Sequence, residues 1–457
     1  YGLDILSSWL YDDEKPFCEV QLLEGFEFLK KAAEEGYFEE LIRKYLLDNT
    51  HGSILSLVPE RGLAAKRDQE LEEKLENYRS SLSDEELTKM AECTKALEAY
   101  QESEENPEAL TCIPMLSRED IKKEITGLTN EEHFVDDSLF LYHDVCTNGI
   151  GYADLLFEIH NFDTDTVHYL GLLKSVLGAV DTENYSYGEL FNEVNARTGG
   201  IAYGIEVYDS ATDTDAFRAM FAVRGKALYP EMDFMFSMIR EVLTTSRLDD
   251  TKRLYEIIAR VKSRAQANLV SAGHSTAVLR GASYASPMAA FQDEIAGIGY
   301  YQFIEKLEKN FDSCKGEIVK NLRKVMEEVL RPENFSVSYT GERESLDAVK
   351  VQAGEIKKVL FNGQKPETSS QPSCTKKNEA FKTSGQVQYV AQNGNFRKKG
   401  LEYTGALEIL KVILSYDYLW INLRVKGGAY GCMSGFKRNG ESFLVSYRDP
   451  HLKRTLK

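Results

Sequence analysis

Residues 150–160 (I-G-Y-A-D-L-L-F-E-I-H) form a nearly unbroken apolar run and predict a β-strand. The spacing then changes. Val167, Leu170, Leu173, Val176 and Leu177 fall on one stripe, which predicts a helix. Residues 199–208 and 217–228 predict two further strands. Pro230 opens a helix that runs to Thr245, and Asp250 opens another that runs to about Ser271. Helical spacing returns over 291–309 and 317–330 and stops at Pro332. These elements place residues 116–331 in one α+β domain.

The flanks differ in character. Residues 1–60 read as the end of a domain. A helical pattern over 26–45 carries Leu29, Ala33, Leu41 and Tyr45 on one face, and a short strand over 53–58 stops at Pro59. Residues 61–115 read as a helical hairpin that connects domains. Its sequence from 68 to 105 is rich in Glu, Lys, Leu and Ala and breaks once, at 80–84, where Ser83 and Glu86 have capping-box spacing. Two short helices fall short of the sustained heptads of a coiled-coil arm. Residues 332–457 read as a second α+β unit, truncated. It has a strand at 335–340, a polar loop at 363–383 expected to be mobile, and a strand at 386–392. A long helix follows with Ala406, Leu410, Ile413 and Trp420 on its buried side, and two strands close the chain. An opening Tyr-Gly-Leu-Asp without methionine and a closing Lys-Arg-Thr-Leu-Lys read as a fragment at both ends.

Composition narrows the function classes. The length of 457 residues gives a prior of roughly three domains. Lys+Arg is 55 against 73 Asp+Glu, a net charge of -18, which argues against nucleic acid or an anionic membrane as the partner. No apolar run reaches the roughly 18 residues of a membrane span. The seven cysteines are odd in number, widely spread and never spaced C-x-x-C, so a disulfide scaffold or cysteine zinc ribbon is not expected and a reducing compartment is.

Candidate chemistry is sparse. No histidine pair has H-E-x-x-H or H-x-x-E-H spacing. Glu158 and His160 sit i, i+2 on a strand and share a face, but a solvated or core-edge histidine is the simpler account. Residues 281–285 (G-A-S-Y-A) resemble a relaxed nucleophile elbow, yet their flank looks helical where that motif needs a strand. The turn after the long helix is more informative. Gly427 and Gly428 permit a positive φ and close approach of another backbone. Arg424 lies about one turn beyond Trp420, and Tyr430 emerges from the turn. Together they could donate hydrogen bonds to one carbonyl oxygen. Spacing alone is equally met by a glycine helix stop with a buried Tyr and a snorkelling Arg.

The run R-V-K-G-G-A-Y-G (424–431), followed by S-Y-R-D-P (446–450), resembles the C-terminal half of insulinase-like zinc metallopeptidases of the pitrilysin type, in the presequence-protease branch. T-N-G-I-G-Y (147–152), Y-S-Y-G-E-L (185–190), T-G-G-I (198–201) and the helical segment 272–286 resemble the same branch. So do residues 49–59, as the end of its second domain, and the acidic hairpin, as its linker. The resemblance covers nearly the whole chain.

This resemblance implies an α+β fold of repeated domains, each a mixed sheet packed with helices, in two halves that close around a chamber. It implies a zinc-dependent endopeptidase acting on unfolded peptides. Zn2+ would be bound by an N-terminal half carrying H-x-x-E-H, a motif absent here, so this chain itself is expected to bind no metal and to be inactive alone. Arg424 and Tyr430 are the implied catalytic contributors, with Gly427, Gly428 and Ala429 at the substrate. The implied partners are peptides and the zinc-binding half, with neither nucleic acid nor membrane. A non-catalytic subunit of a heterodimeric peptidase and a peptide-binding module remain open. The expected location is a bacterial cytoplasm, with the mitochondrial matrix as the alternative.

Overall fold

In a computed structural model, the chain is described over residues 1–103, 106–125, 127–364, 369–383 and 385–455. The parts of the expected hairpin, polar loop and C-terminal unit at 104–105, 365–368, 384 and 456–457 lie outside the described residues. The chain divides into two compact units, Tyr1–Lys122 and Lys123–Lys457.

The first unit is helical: α1 (Gly2–Trp9), α2 (Leu23–Glu34), α3 (Tyr37–Ile42), α4 (Leu63–Ser81), α5 (Asp84–Glu102) and the single turn α6 (Pro107–Leu110). The continuous helical pattern expected over 26–45 is interrupted. Gly36, at φ 80°, turns left-handed and ends the ladder between α2 and α3. The strand expected at 53–58 does not form, and Ile54, Leu55, Leu57 and Val58 are exposed. A strand needs an edge to pair with, and the described residues of this unit contain none. The expected hairpin break is present at Leu82, and Ser83 caps α5. Its hydroxyl accepts from Glu86 N at 3.3 Å, while the Glu86 carboxylate accepts from Ser83 N at 2.8 Å.

The second unit holds a six-stranded sheet ordered β1-β2-β6-β3-β5-β4. Its strands are β1 (Glu131–Val135), β2 (Ser138–Asp144), β3 (Ile150–Glu158), β4 (Ile201–Asp209), β5 (Phe217–Leu228) and β6 (Phe335–Gly341). The β2–β6 pair is parallel and the other pairs are antiparallel, so the sheet is mixed. The helices are α7 (Thr164–Val176), α8 (Tyr187–Arg197), α9 (Met232–Thr245), α10 (Thr251–Ser271), α11 (Gly273–Ala282), α12 (Pro287–Ala296), α13 (Ile298–Lys309), α14 (Phe311–Val329) and α15 (Leu346–Lys358). Along β3, Ala153, Leu155 and Phe157 point into the core with Phe221 and Val223 of β5 and with Leu170 and Leu173 of α7. Of the alternate residues, Asp154 pairs with Arg224 and Glu158 with Arg218 on the other face. Glu158 takes both Nε and Nη2 of Arg218, at 2.8 and 2.7 Å, so its carboxylate is committed to a guanidinium and not poised with His160 for a metal.

Two boundaries differ from expectation. β6 lies between β2 and β3, and Leu346, Val349, Ala353 and Ile356 of α15 join the same core. The expected division at 331/332 therefore falls inside this sheet, because strand membership follows pairing partners and not neighbours in sequence. The helix expected over 291–309 is two helices, split at an extended Gly297. Asp293 causes the split: its carboxylate accepts from Ile298 N at 3.0 Å and Gly299 N at 3.1 Å, capping α13.

Residues 369–383, expected to be mobile, are fastened to the core. Gln371 Nε2 donates to Phe217 O at 3.1 Å, and Glu379 accepts from Arg280 Nε at 2.8 Å and from the Tyr284 hydroxyl. Arg280 Nη1 also reaches Asp293 at 2.6 Å. Hydrogen bonding to Arg280, opposed by partial burial and aided by Tyr284, lowers the Glu379 pKa from 4.5 to about 2. A carboxyl whose pKa is depressed in the folded state stabilises above its unfolded value and loses that contribution as pH falls from about 4.5 toward 2. The stability difference between wild type and Glu379→Gln is thus expected to be full above about pH 5.5 and to vanish near pH 2. Thermal melts of both proteins across that range check this, and a constant difference would contradict it.

A three-stranded sheet ordered β7-β9-β8 follows, built from β7 (Gln388–Asn395), β8 (Gly431–Phe436) and β9 (Glu441–Asp449). Between β7 and β8 runs α16 (Ala406–Ile413), which continues as a π-helix over Leu414–Val425. Its expected buried side is not buried. Ala406, Leu410, Ile413 and Trp420 are all exposed, and Leu419 is the buried residue. Only Trp420 lies in the π-helical part, where the wider turn departs from the 3.6 spacing; Ala406, Leu410 and Ile413 share a face of α16 that no described residue covers.

Candidate active-site turn

The π-helix ends in a tight turn. Gly428 N donates to Arg424 O at 3.0 Å and Ala429 N to Leu423 O at 2.9 Å. This is a Schellman ending widened by one residue, as the π turn requires. Gly428 has φ 78°, and a Cβ on Gly427 would stand 2.5 Å from Leu423 O. Both glycines thus serve the turn itself, beyond any approach of a substrate. Ala429 is buried, and Tyr430 N pairs with Tyr447 O at 3.0 Å, which launches β8 along β9. Gly428→Ala puts a Cβ into the left-handed region and is expected to cost about 1–2 kcal/mol. Thermal denaturation reads this, and a neutral Gly428→Ala would contradict the assigned conformation.

The turn brings Arg424 and Tyr430 together. Arg424 Nη1 donates to the Tyr430 carbonyl at 2.7 Å, and its guanidinium lies 4.1 Å from the Trp420 ring centroid and 5.4 Å from that of Tyr430. Tyr430 is 63% exposed, so its side chain is presented outward and is not the buried tyrosine of the simpler reading. One guanidinium N–H is spent on the backbone, which fixes the fork, and the remaining donors are available to a carbonyl or carboxylate oxygen. Arg448 and Tyr447, quoted in the sequence but given no role there, complete the site. The Arg448 guanidinium lies 6.0 Å from the Tyr430 ring centroid, and Tyr447 packs edge-on against Tyr430 at 5.8 Å. Arg448 holds φ 49°, unusual for a non-glycine residue. The signal for these two lies in strand pairing just before that register begins: Tyr430 N donates to Tyr447 O at 3.0 Å and to Arg448 O at 3.3 Å.

The other sequence candidates are not brought here. Residues 281–285 begin at the end of α11, and the Ser283 hydroxyl donates to Arg280 O at 2.7 Å, so no strand-borne nucleophile exists there. Among the described residues, no three His, Cys, Asp or Glu side chains converge as a metal requires, so a zinc ion does not fit the residues present.

The chain belongs to the family described as associated with subfamily C of the M16 peptidases, whose model matches residues 57–307; a model for the PreP C-terminal domain matches residues 378–457. It is 36% identical over 456 residues to protein HypA of Clostridium perfringens, covering 100% of this chain and 47% of that protein. It is 28% identical to presequence protease 1, chloroplastic/mitochondrial, of Arabidopsis thaliana (99% and 42%) and 27% identical to the mitochondrial presequence protease of Yarrowia lipolytica (93% and 43%). The chain spans about half the length of these relatives or less. It therefore corresponds to the C-terminal part of a presequence-protease-type M16 peptidase. Among solved structures, a peptidase M16 inactive domain from Pseudomonas fluorescens overlaps 72% of this chain and 76% of its own, at 14% identity and TM-score 0.46. No helix of the described residues is long and apolar enough to cross a membrane.

Proposed function

We propose that this chain is the substrate-holding, non-zinc portion of a zinc-dependent metalloendopeptidase that degrades unfolded peptides in a closed chamber. The observation that carries the proposal is the Arg424–Tyr430 pair: a guanidinium fixed by the Tyr430 carbonyl beside an exposed phenol. Zinc, held by a separate half, supplies the Lewis acid and the activated water when bound. The residues here do what a clamp does. Arg424 and the Tyr430 hydroxyl donate to a substrate carbonyl, and Gly427, Gly428 and Ala429 shape the turn that presents them. The partners are extended peptides and the zinc-bearing half. The proposed location is a bacterial cytoplasm, with the mitochondrial matrix as the alternative.

Trp420 offers a direct test, because it stacks on Arg424 and the chain's other tryptophan is Trp9. In Trp9→Phe protein, an unstructured peptide is expected to shift Trp420 emission, and Arg424→Ala is expected to abolish the shift. Peptide binding that leaves Trp420 emission unchanged would place the peptide elsewhere.

A further inference from the structure

β9 carries a bulge beside the candidate turn. From Gln388 to Val390, β7 advances two residues, while their partners on β9, Asp449 and Ser446, lie three apart. Tyr447 and Arg448 therefore share the one place opposite Tyr389. A bulge of this kind bends its strand and re-aims the side chains on it. Within it, Arg448 holds φ 49°. That left-handed conformation is unfavourable for an L-residue with a Cβ and costs glycine nothing in sterics. Glycine would serve the backbone better, so what an arginine adds here is its side chain.

That side chain is exposed and, rings aside, uncommitted. Its guanidinium lies 6.0 Å from the Tyr430 ring centroid and 5.5 Å from that of Tyr447, and it forms no ion pair or hydrogen bond with a described residue. The neighbouring Asp449 is buried and occupied, accepting from His451 N at 2.7 Å and Thr455 Oγ1 at 2.5 Å. Arg424 borders the same Tyr430 ring and has no described carboxylate partner either, but one of its donors is held by the Tyr430 carbonyl. In a chain of net charge -18, two guanidiniums without counter-ions thus flank one exposed phenol. A planar fork of free N–H donors matches a carboxylate, which it can take through two parallel hydrogen bonds.

We infer, resting on the substrate-holding role proposed above, that Arg448 is a specificity-determining residue that takes a carboxylate of the bound peptide near the carbonyl held by Arg424 and Tyr430. That carboxylate is an acidic side chain or the peptide's own C-terminus. Four acetylated peptides of one neutral, unstructured sequence separate the sources, titrated into the Trp9→Phe protein and read by Trp420 emission. One has a central Gln and an amidated end, one a central Glu and an amidated end, one Gln and a free carboxyl end, and one a central Lys and an amidated end. The peptide carrying the recognised carboxylate is expected to bind about tenfold tighter than the Gln amide at low ionic strength, and less so as salt rises. The Lys peptide is expected to gain nothing over the Gln amide. Arg448→Gly suits the left-handed backbone and is expected to melt like wild type while erasing the preference for the acid. Arg448→Lys is expected to keep part of it. If Arg448→Gly misfolds, Arg448→Asn, which also tolerates this conformation, decides. Equal affinities in the Trp9→Phe protein, or the preference intact in folded Arg448→Gly or Arg448→Asn, would overturn the role of Arg448 and leave the clamp standing. No Trp420 response to any peptide would overturn the clamp, and the role of Arg448 with it.

Discussion

Arg424→Ala in the whole protein is expected to lower kcat for peptide hydrolysis by about 10²–10³, with the protein still folded and zinc still bound. The magnitude follows from the loss of one preorganised donor to the oxyanion that the proposed clamp binds. Preorganisation is visible here: the Tyr430 carbonyl and the Trp420 face hold the guanidinium before any substrate arrives. Arg424→Lys is expected to recover little, because an ammonium cannot keep one donor on the backbone in a planar fork while aiming others outward. Tyr430→Phe removes the phenol hydroxyl and leaves the ring against Arg424 and Tyr447, and a loss of the same order is expected. Because the proposed clamp aims both residues at one oxygen, the double substitution is expected to cost less than the product of the single losses. Steady-state kinetics on an unstructured peptide read these values, and wild-type kcat in either folded variant would sink the assigned roles.

Asp293→Ala is expected to destabilise the second unit by about 3–5 kcal/mol. The Asp293 side chain is 1% exposed and serves two clients at once. It neutralises Arg280, itself largely buried, and it caps α13 through two backbone amides. Alanine would leave a guanidinium with Glu379 as its one remaining anion and two unpaired amides at a helix start. Asp293→Asn keeps an acceptor for the amides but loses the charge, so it is expected to fall between alanine and wild type. Denaturant unfolding monitored on the second unit tests this, and a loss under about 1 kcal/mol for Asp293→Ala would show that the network is not structural in the sense argued.

Much of the fold was legible in local pattern. β5 spans Phe217–Leu228, the residues its apolar pattern marked, and the Asp250 and Ser83 caps sit where their chemistry placed them. What escaped was set by partners distant in sequence. β6 joins β2 and β3 from far along the chain, Val337 facing Phe140 and Leu155, and nothing within residues 335–341 announces that. The apolar residues of helix 406–425 were visible, but a stripe states that one face seeks cover and not which segment supplies it. The same limit governs the site. Arg424, Gly427, Gly428 and Tyr430 stood out by spacing and by family resemblance. Tyr447 and Arg448 became members only through their carbonyls, which accept from Tyr430 N where β8 meets β9.

The most direct measurement compares turnover of an unstructured peptide by the whole protein and by residues 1–457 alone, each with and without a zinc chelator. Turnover by the whole protein that stops on chelation and returns with zinc, with none by residues 1–457, is the expected result. Chelator-resistant turnover, or hydrolysis by residues 1–457 alone, would contradict the assignment of this chain as the clamp of a zinc peptidase.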